Sequence, residues 1–460
     1  MNTMKKTPRY IAVEILNRVE EQDAFAEPLL DAALSRARQM NIHDRSMITY
    51  IVYGTLRMRG RLDWIISHFY KGDFPSMDSS IKNILRTGLY QLFFTDRIPD
   101  FAVVDEAVDI TKKMHPAGSG LVNAILRNAI RKKDGIAYPD MEEEPAHHIA
   151  VLHSHPLWMV EKWIQSFGVE ETALLCKANN EIPPLTLRVN TLKTTREKLI
   201  DECSRQGIDV RTTVFSPDGL IVSNLTIPVR ETAFYGAGQI QVQDEASQMI
   251  SRIVDPEPGD HILDVCAGTG GKSTHLAAIM NNSGRIIALD ISEKKIAALK
   301  NNAEVLGVTN TITQIGDARE MRGESFYGSF DRILVDAPCT GLGTLRRNPE
   351  IKWRTTEEDP RKISALQKTI LASAAQYLKK GGYLIYSTCT ITPDENEGVI
   401  EDFIAHHANF IRVQPPDTIN SFLVDDYGYF RTSPHKHVTD GFFGAVLVKN
   451  GNEKSRNNRL

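Results

Sequence analysis

The chain has 460 residues, 42% hydrophobic and 24% charged, the composition of a water-soluble globular protein with room for two or three cores. Its five cysteines form no CxxC pair, and no uncharged apolar run is long enough to cross a bilayer; this argues against a disulfide scaffold, a zinc ribbon and a membrane protein. The net charge of −4 is uneven: residues 1–135 carry 20 Lys and Arg against 16 Asp and Glu, and the remainder 34 against 42, so the front is mildly basic and compatible with nucleic acid.

At the N-terminus the run 10–13 meets Glu14 too soon for a signal peptide, and the expectation is a monomer in a reducing cytoplasm, with free thiols and no membrane partner. From residue 7 to 133 the apolar residues fall at helix spacing, as in Ala12, Ile15, Leu16 and Val19, or Ile81, Ile84, Leu85 and Leu89. An all-helical domain over 5–135 follows. Arg57, Arg59, Arg61, Arg127, Arg131, Lys132 and Lys133 are open to two readings, a solvated charged face or a surface for RNA phosphates. Arg9-Tyr10-Ile11-Ala12-Val13-Glu14-Ile15-Leu16, Asp44-Arg45-Ser46, Ile84–Leu92 and Val122-Asn123-Ala124-Ile125-Leu126-Arg127 resemble the NusB antitermination-factor domain. That resemblance implies a helical bundle that binds RNA.

Residues 136–156 read as a linker, with Pro139, Pro145 and an acidic run between. His147, His148, His153 and His155 follow, but no Cys or paired carboxylate stands at ligand spacing, so no metal is assigned. Residues 157–237 mix helices (159–167, 195–206) with short alternating runs (185–190, 210–215, 220–222), as a small α/β RNA-binding module would. Arg188 and Asn190 share one of its strands, either as contacts to a nucleic-acid backbone or as an ordinary surface pair.

From 238 to 449 strands (261–266, 285–290, 311–315, 332–336, 383–388) alternate with helices (272–280, 293–306, 362–378, 396–406), the pattern of a Rossmann-like α/β domain around a parallel sheet. An apolar stretch at 444–448 is expected to close the far side of that sheet, and the polar tail 450–460 to be disordered.

Asp264-Val265-Cys266-Ala267-Gly268-Thr269-Gly270-Gly271-Lys272 joins the first of these strands to a helix. A phosphate-binding loop requires Gly where Cys266 stands, and a dinucleotide fingerprint requires a third Gly where Ser273 stands. The remaining reading is a nucleoside cofactor without a pyrophosphate, such as S-adenosylmethionine. Asp290 ends the second strand, where ribose hydroxyls are gripped; Asp317 ends the third, placed for the adenine edge; Asp336 ends the fourth.

The fourth and fifth strands run into Asp336-Ala337-Pro338-Cys339 and Ser387-Thr388-Cys389. In a parallel sheet these ends face one crevice, so an acid and two thiols meet there. Methylation at C5 of cytosine requires such a set: a thiolate adds at C6, an acid holds a proton at N3, and a second thiol is placed to assist release. The residues alone do not say which thiol attacks. Cys176, Cys203 and Cys266 read as buried core thiols.

Asp336–Cys339 with Gly341-Leu342-Gly343-Thr344, Arg346–Trp353, Ser387–Cys389 with Glu395-Asn396-Glu397, Gln243–Ser247 and Asp440–Phe443 together resemble the RNA cytosine-5 methyltransferases. The resemblance implies Cys389 as the nucleophile, Cys339 as the release thiol, and S-adenosylmethionine contacts from Cys266, Ala267, Gly268, Thr269, Gly270, Gly271, Lys272, Asp290, Asp317 and Asp336. With a NusB-like front it implies one cytosine of small-subunit (16S) ribosomal RNA as target; a tRNA substrate, or a binding module with an inactive catalytic half, are the alternatives. Arg346, Arg347, Lys352 and Arg354 form the expected RNA-facing patch, with Trp353 among them either stacking on an extruded base or simply packed in the core. The family's Cys-Ala-Ala-Pro-Gly-Gly-Lys loop has lost its Pro here, which predicts a looser loop, and Lys295 stands where Arg is commoner.

Overall fold

The structure, a computed structural model, describes residues 6–37, 39–95, 98–321 and 327–450; beyond Asn450 the expected disordered tail lies outside them. The chain divides into two compact units, Met1–Ile182 with Leu345–Glu357, and Pro183–Thr344 with Glu358–Leu460.

The first unit is helical. Its bundle comprises Pro8–Glu21, Ala26–Arg36, Ile42–Phe69, Ser79–Phe94, Asp100–Met114 and Ser119–Arg131. Local chemistry sets several starts: the side chains of Thr7, Asn41 and Asp78 accept from the first-turn amides Tyr10, Asp44 and Ser80, satisfying donors that have no partner within the helix. The helical stripes read from the sequence are buried in two clusters, one around Leu62, Leu85 and Leu126, the other around Leu16, Ile51 and Leu30. Arg86 is buried and forks onto Asp63 at 2.6 and 2.9 Å while reaching Glu20 at 2.9 Å. Burial opposes its charge, but Asp63 and Glu20 outweigh it and hold the guanidinium protonated.

Two expectations are corrected in this unit. The presumed linker contains a helix, Pro145–Leu152, with proline in its first turn and Ile149, Ala150 and Val151 buried; Pro opens a helix as readily as it breaks one. The expected RNA-facing patch is largely interior. Arg346 and Lys352 are buried, and Lys352 Nζ donates to the carbonyls of Arg57 and Ser154 and to Asn180 Oδ1, at 2.7, 2.8 and 3.0 Å. Trp353 gives its indole N–H to Leu56 O at 2.8 Å, and its ring lies against Gly60 and the Arg59 guanidinium. Arg347 is half-buried, and Arg354 pairs with Asp23. An ammonium whose three donors are all spent on buried oxygens has none left for a phosphate.

The second unit holds two sheets. The smaller consists of β1 (Leu185–Val189), β2 (Val210–Thr212), β3 (Gly219–Val222) and β4 (Ile240–Val242), antiparallel in the order β2-β3-β1-β4. Its fourth strand lies past the expected edge of the module at 237. The larger consists of β5 (His261–Asp264), β6 (Arg285–Asp290), β7 (Thr311–Ile315), β8 (Phe330–Asp336), β9 (Leu378–Thr388), β10 (Phe410–Val413), β11 (Phe430–Arg431) and β12 (Phe443–Lys449). Their order is β10-β12-β9-β8-β5-β6-β7, with β11 paired to β12. The run from β9 to β7 is parallel, and β12 is antiparallel to β9 and β10. Thus the stretch at 444–448 does not close the far side of the sheet as expected; β12 is interior and β10 forms the edge.

The strands read as continuous apolar runs because both faces are covered. Alternate residues serve opposite cores: Leu263, Ile333 and Leu384 with Leu371, Ala374 and Ile400 on one face, Ile262, Leu334 and Ile385 with Ile250 and Leu276 on the other. From β5 the chain steps outward to β6 and β7, then returns to β8 on the opposite side of β5. That reversal opens a crevice beyond the carboxyl ends of β5 and β8, the place where such sheets bind ligands.

Candidate active site

Cys339 and Cys389 follow β8 and β9, and their sulfurs are 3.1 Å apart. Both are free and half-buried. The S–H contact with Cys389, then burial, hold the Cys339 thiol well above its ordinary range, so Cys339 keeps its proton at neutral pH.

Asp336, the last residue of β8, accepts from Lys272 Nζ at 2.6 Å and from Ser387 Oγ at 2.8 Å. Lys272 is almost fully buried, and Phe442 lies under its ammonium at 5.3 Å. Burial opposes its charge, but Asp336 outweighs it and raises its pKa. An ion pair therefore lies at the mouth that holds the two thiols. Asp264, at the end of β5, is sealed from water and accepts from Ser273 Oγ at 2.6 Å. Burial, with Asp336 adding to it, pushes its carboxyl up to about 7.

The Gly-rich loop passes from β5 into the helix Gly271–Ile279. Gly268 and Gly270 have φ of +57° and +87°, and a side chain on Gly270 would strike Leu299, so glycine is required there. Where the family's proline is lost, the loop is pinned by other bonds: Ala267 N to Leu289 O, Gly268 N to Asp290 Oδ2, and Asn302 Nδ2 to Thr269 O, at 2.9, 2.9 and 3.0 Å.

Beside this loop is a cavity of about 420 Å³ lined by Cys266, Asp290, Ile291, Asp317, Ala318 and Asp336, among others, a size suited to a nucleoside ligand. Its donor set fits S-adenosylmethionine. Asp290 spends one lone pair per oxygen on Gly268 N and Ser292 N and keeps others for ribose hydroxyls; Ile291 and Ala318 offer apolar surface to a flat base; and the three acids suit a cationic sulfonium. Asp317 is at the rim, bonded to Arg319, which holds its carboxyl below the usual range. Burial raises the Cys266 thiol.

The structure therefore brings together Asp336, Cys339, Cys389, the loop Cys266–Lys272, Asp290 and Asp317, but takes Arg188 and Asn190 away from solvent. Arg188 is 1% exposed. It donates to Gln243 Oε1, Gln241 Oε1 and Thr274 Oγ1 at 2.7, 2.6 and 3.0 Å, and to Gly271 O. Burial pulls its pKa down to about 9. Asn190 gives its amide to Gly238 O and Leu306 O. The expected RNA contacts are thus internal struts; Arg188 braces the small sheet against the end of the glycine-rich loop.

Sequence reading gave no role to Glu395 or Gln367, both wholly buried behind the cysteines. Nor did it foresee how closely the loops are knitted. Gly343 N donates to Cys389 O and Gly441 N to Gly343 O, at 3.0 and 2.7 Å.

Among the described residues no helix is long and apolar enough to cross a membrane, and no group of three or more His, Cys, Asp or Glu is placed to hold a metal ion. Residues 6–131 match the NusB family, 155–229 a ferredoxin-like domain described as Methyltr_RsmF/B-like, and 251–448 the family described as 16S rRNA methyltransferase RsmB/F. The chain is 35% identical over 456 residues to the probable ribosomal RNA small subunit methyltransferase B of Bacillus subtilis, covering 97% of this chain and all of that one. It is 32% identical to the ribosomal RNA small subunit methyltransferase B of Pseudomonas syringae, covering 96% and 97%. Among solved structures it is similar to PH0851, with a TM-score of 0.82 and 28% identity over 97% of this chain and all of that one. It is also similar to NSun6 from Pyrococcus horikoshii with SFG, with a TM-score of 0.59 and 25% identity over 65% and 100%. Three consecutive domains, near-complete relatives and an acid–thiol crevice beside a nucleoside-sized cavity agree: the chain belongs to the RsmB/F family of S-adenosylmethionine-dependent 16S ribosomal RNA methyltransferases.

Proposed function

We propose that this protein methylates C5 of one cytosine in small-subunit ribosomal RNA through a covalent bond between Cys389 and C6. The observation that carries the reading is the pair of sulfurs 3.1 Å apart at two adjacent strand ends, next to Asp336 and its Lys272 partner.

Cys389 Sγ, as thiolate, bonds to C6; the C5=C6 pair shifts toward N3, which takes a proton from water, and the Asp336 carboxylate accepts the N3–H so formed. Lys272 and Ser387, bonded to its two oxygens, fix the direction in which Asp336 points. S-adenosylmethionine supplies an electrophilic methyl group, and Cys266–Lys272, Asp290, Asp317 and Asp336 are the residues to hold it. Bonding of Cys389 to carbon removes the S–H contact that heads the causes raising the Cys339 thiol, and Cys339 serves the release step as thiolate after giving its proton to water. Once C5 is methylated, the Cys339 thiolate takes the C5 proton, the C5=C6 bond reforms as the C6–S bond breaks to return Cys389 as thiolate, and N3 gives its proton back to water.

The test is transfer of labelled methyl from S-adenosylmethionine to bare small-subunit rRNA, with tRNA alongside and the product base identified. Cys389→Ala is expected to abolish turnover, and Cys339→Ala to leave protein bound to RNA through denaturation. An adduct in Cys389→Ala would reverse the two roles, methyl on tRNA would redirect the substrate, and binding without incorporation would favour a passive module. We further read the protein as a cytoplasmic monomer, which light scattering of the purified protein checks for mass.

A further inference from the structure

Behind the two thiols is a buried acid with no cation bonded to it among the described residues. Glu395 is 0% exposed, as is Gln367 on the helix Asp359–Ala375. Glu395 Oε1 accepts from Thr340 N at 2.8 Å, and Oε2 from Thr340 Oγ1 and Thr392 Oγ1, both at 2.6 Å. Thr390 Oγ1 reaches the same carboxyl at 3.3 Å and Thr340 Oγ1 at 3.0 Å. Gln367 Nε2 bonds Pro338 O at 2.9 Å and Glu395 Oε1 at 3.3 Å. The residues on both sides of Cys339 are therefore gripped, Pro338 by Gln367 and Thr340 by Glu395.

The two thiols do not depend equally on this grip: beside Cys389 only the Thr390 hydroxyl reaches the carboxyl, at 3.3 Å, whereas beside Cys339 both the amide and the hydroxyl of Thr340 bond it, at 2.8 and 2.6 Å. Cys389 continues directly from β9, whose last residue Thr388 is paired with Phe443, and its carbonyl is fixed by Gly343 N. Cys339 is two residues beyond Ala337, whose amide makes the last ladder bond, to Ser387 O; past it the turn is held by the buried carboxyl and amide. Burial raises the pKa of Glu395 against the pull of its hydroxyl and amide donors. A carboxyl kept in such a place, rather than an apolar side chain, implies a positional task.

We propose that Glu395, with Gln367, is a positioning residue for the release thiol: it sets Cys339 against Cys389 and governs resolution of the covalent RNA adduct rather than its formation. The proposal rests on the assignment of attack to Cys389 and release to Cys339. Loss of the carboxyl leaves the Thr340 amide and three hydroxyls without their acceptor and frees the Cys339 turn, while the strand-borne Cys389 stays in place.

The experiment measures, for the full-length protein with small-subunit rRNA and cofactor, the rate of forming a denaturation-resistant adduct and the rate of methyl turnover. Variants are Glu395→Ala, Glu395→Gln and Gln367→Leu, beside Cys339→Ala. Glu395→Ala is expected to form adduct within about threefold of the wild-type rate, to turn over at least tenfold more slowly, and so to accumulate adduct. Glu395→Gln, which keeps an acceptor for Thr340 N, is expected to recover most of the turnover. Should Glu395→Ala fail to fold, Gln367→Leu, which removes the bond to Pro338 O, carries the same expectation more weakly. Adduct formation falling in step with turnover in the soluble variants, or turnover unchanged, overturns the proposal. Absence of an adduct in Cys339→Ala overturns the thiol assignment and the proposal with it; an adduct in Cys339→Ala but not in the Glu395 or Gln367 variants overturns the positioning role alone.

Discussion

Asp264 makes the stability of the fold depend on pH at this site. Its folded pKa is raised to about 7, against roughly 3.9 for an unfolded aspartate. Below about pH 4 both states hold the proton and the site is neutral to stability. Between about pH 4 and pH 7 the unfolded chain ionises and the folded one resists, so stability falls as pH rises. Asp264→Asn cannot ionise and escapes this loss. Its stability relative to wild type is expected to improve by about 1–4 kcal/mol from pH 5 to pH 8, read from urea unfolding at the two values. An unchanged difference between the two pH values would mean that Asp264 titrates like an exposed acid.

At the scale of elements, the parallel strands and the glycine loop were legible in the sequence because each obeys a local rule. Arg285–Asp290 and Thr311–Ile315 are strands over the residues read for them, since both are short β-rich runs bounded by turns. The meeting of Asp336, Cys339 and Cys389 was legible too, because parallel strands bring their carboxyl ends to one side of the sheet; the strand order was not. What local pattern does not carry is which charged residue goes inside. Arg188, in an alternating run, looks like any surface arginine; its acceptors Gln241 and Gln243 are more than fifty residues away. Glu395 was hidden for the same reason, its partner Thr340 lying 55 residues back. The three-residue strand β4 was too short to register a period. The loops also constrain one another through backbone: a Cβ on Gly343 would come within 1.9 Å of Gly441 O and 2.8 Å of Cys389 O. Gly343→Ala must push the Cys389 loop aside, and turnover is expected to fall at least tenfold with a stability loss of about 1–3 kcal/mol. Wild-type turnover in that variant would show that the loop has slack.

At the scale of the whole chain, the basic residues divide by what they already hold. Lys352 is buried, so Lys352→Met is expected to leave three oxygens unsatisfied and to destabilise the protein by about 2–4 kcal/mol. The slope of log affinity for RNA against log salt should not change. A phosphate-bound lysine would instead lower that slope by about one, and such a drop on titrating labelled rRNA would reinstate Lys352 as a contact. The segment that carries it, Leu345–Glu357, leaves the catalytic unit at Thr344, only a few residues past Cys339, and rejoins it at Glu358. A gene cut at the boundary near Pro183 would therefore not yield a self-sufficient enzyme half. The shortened polypeptide would keep a thirteen-residue excursion whose Lys352 has lost the Arg57, Ser154 and Asn180 oxygens that hold it, tethered a few residues from Cys339. Dissecting this protein into working parts requires grafting a replacement turn between Thr344 and Glu358 as well as trimming the front.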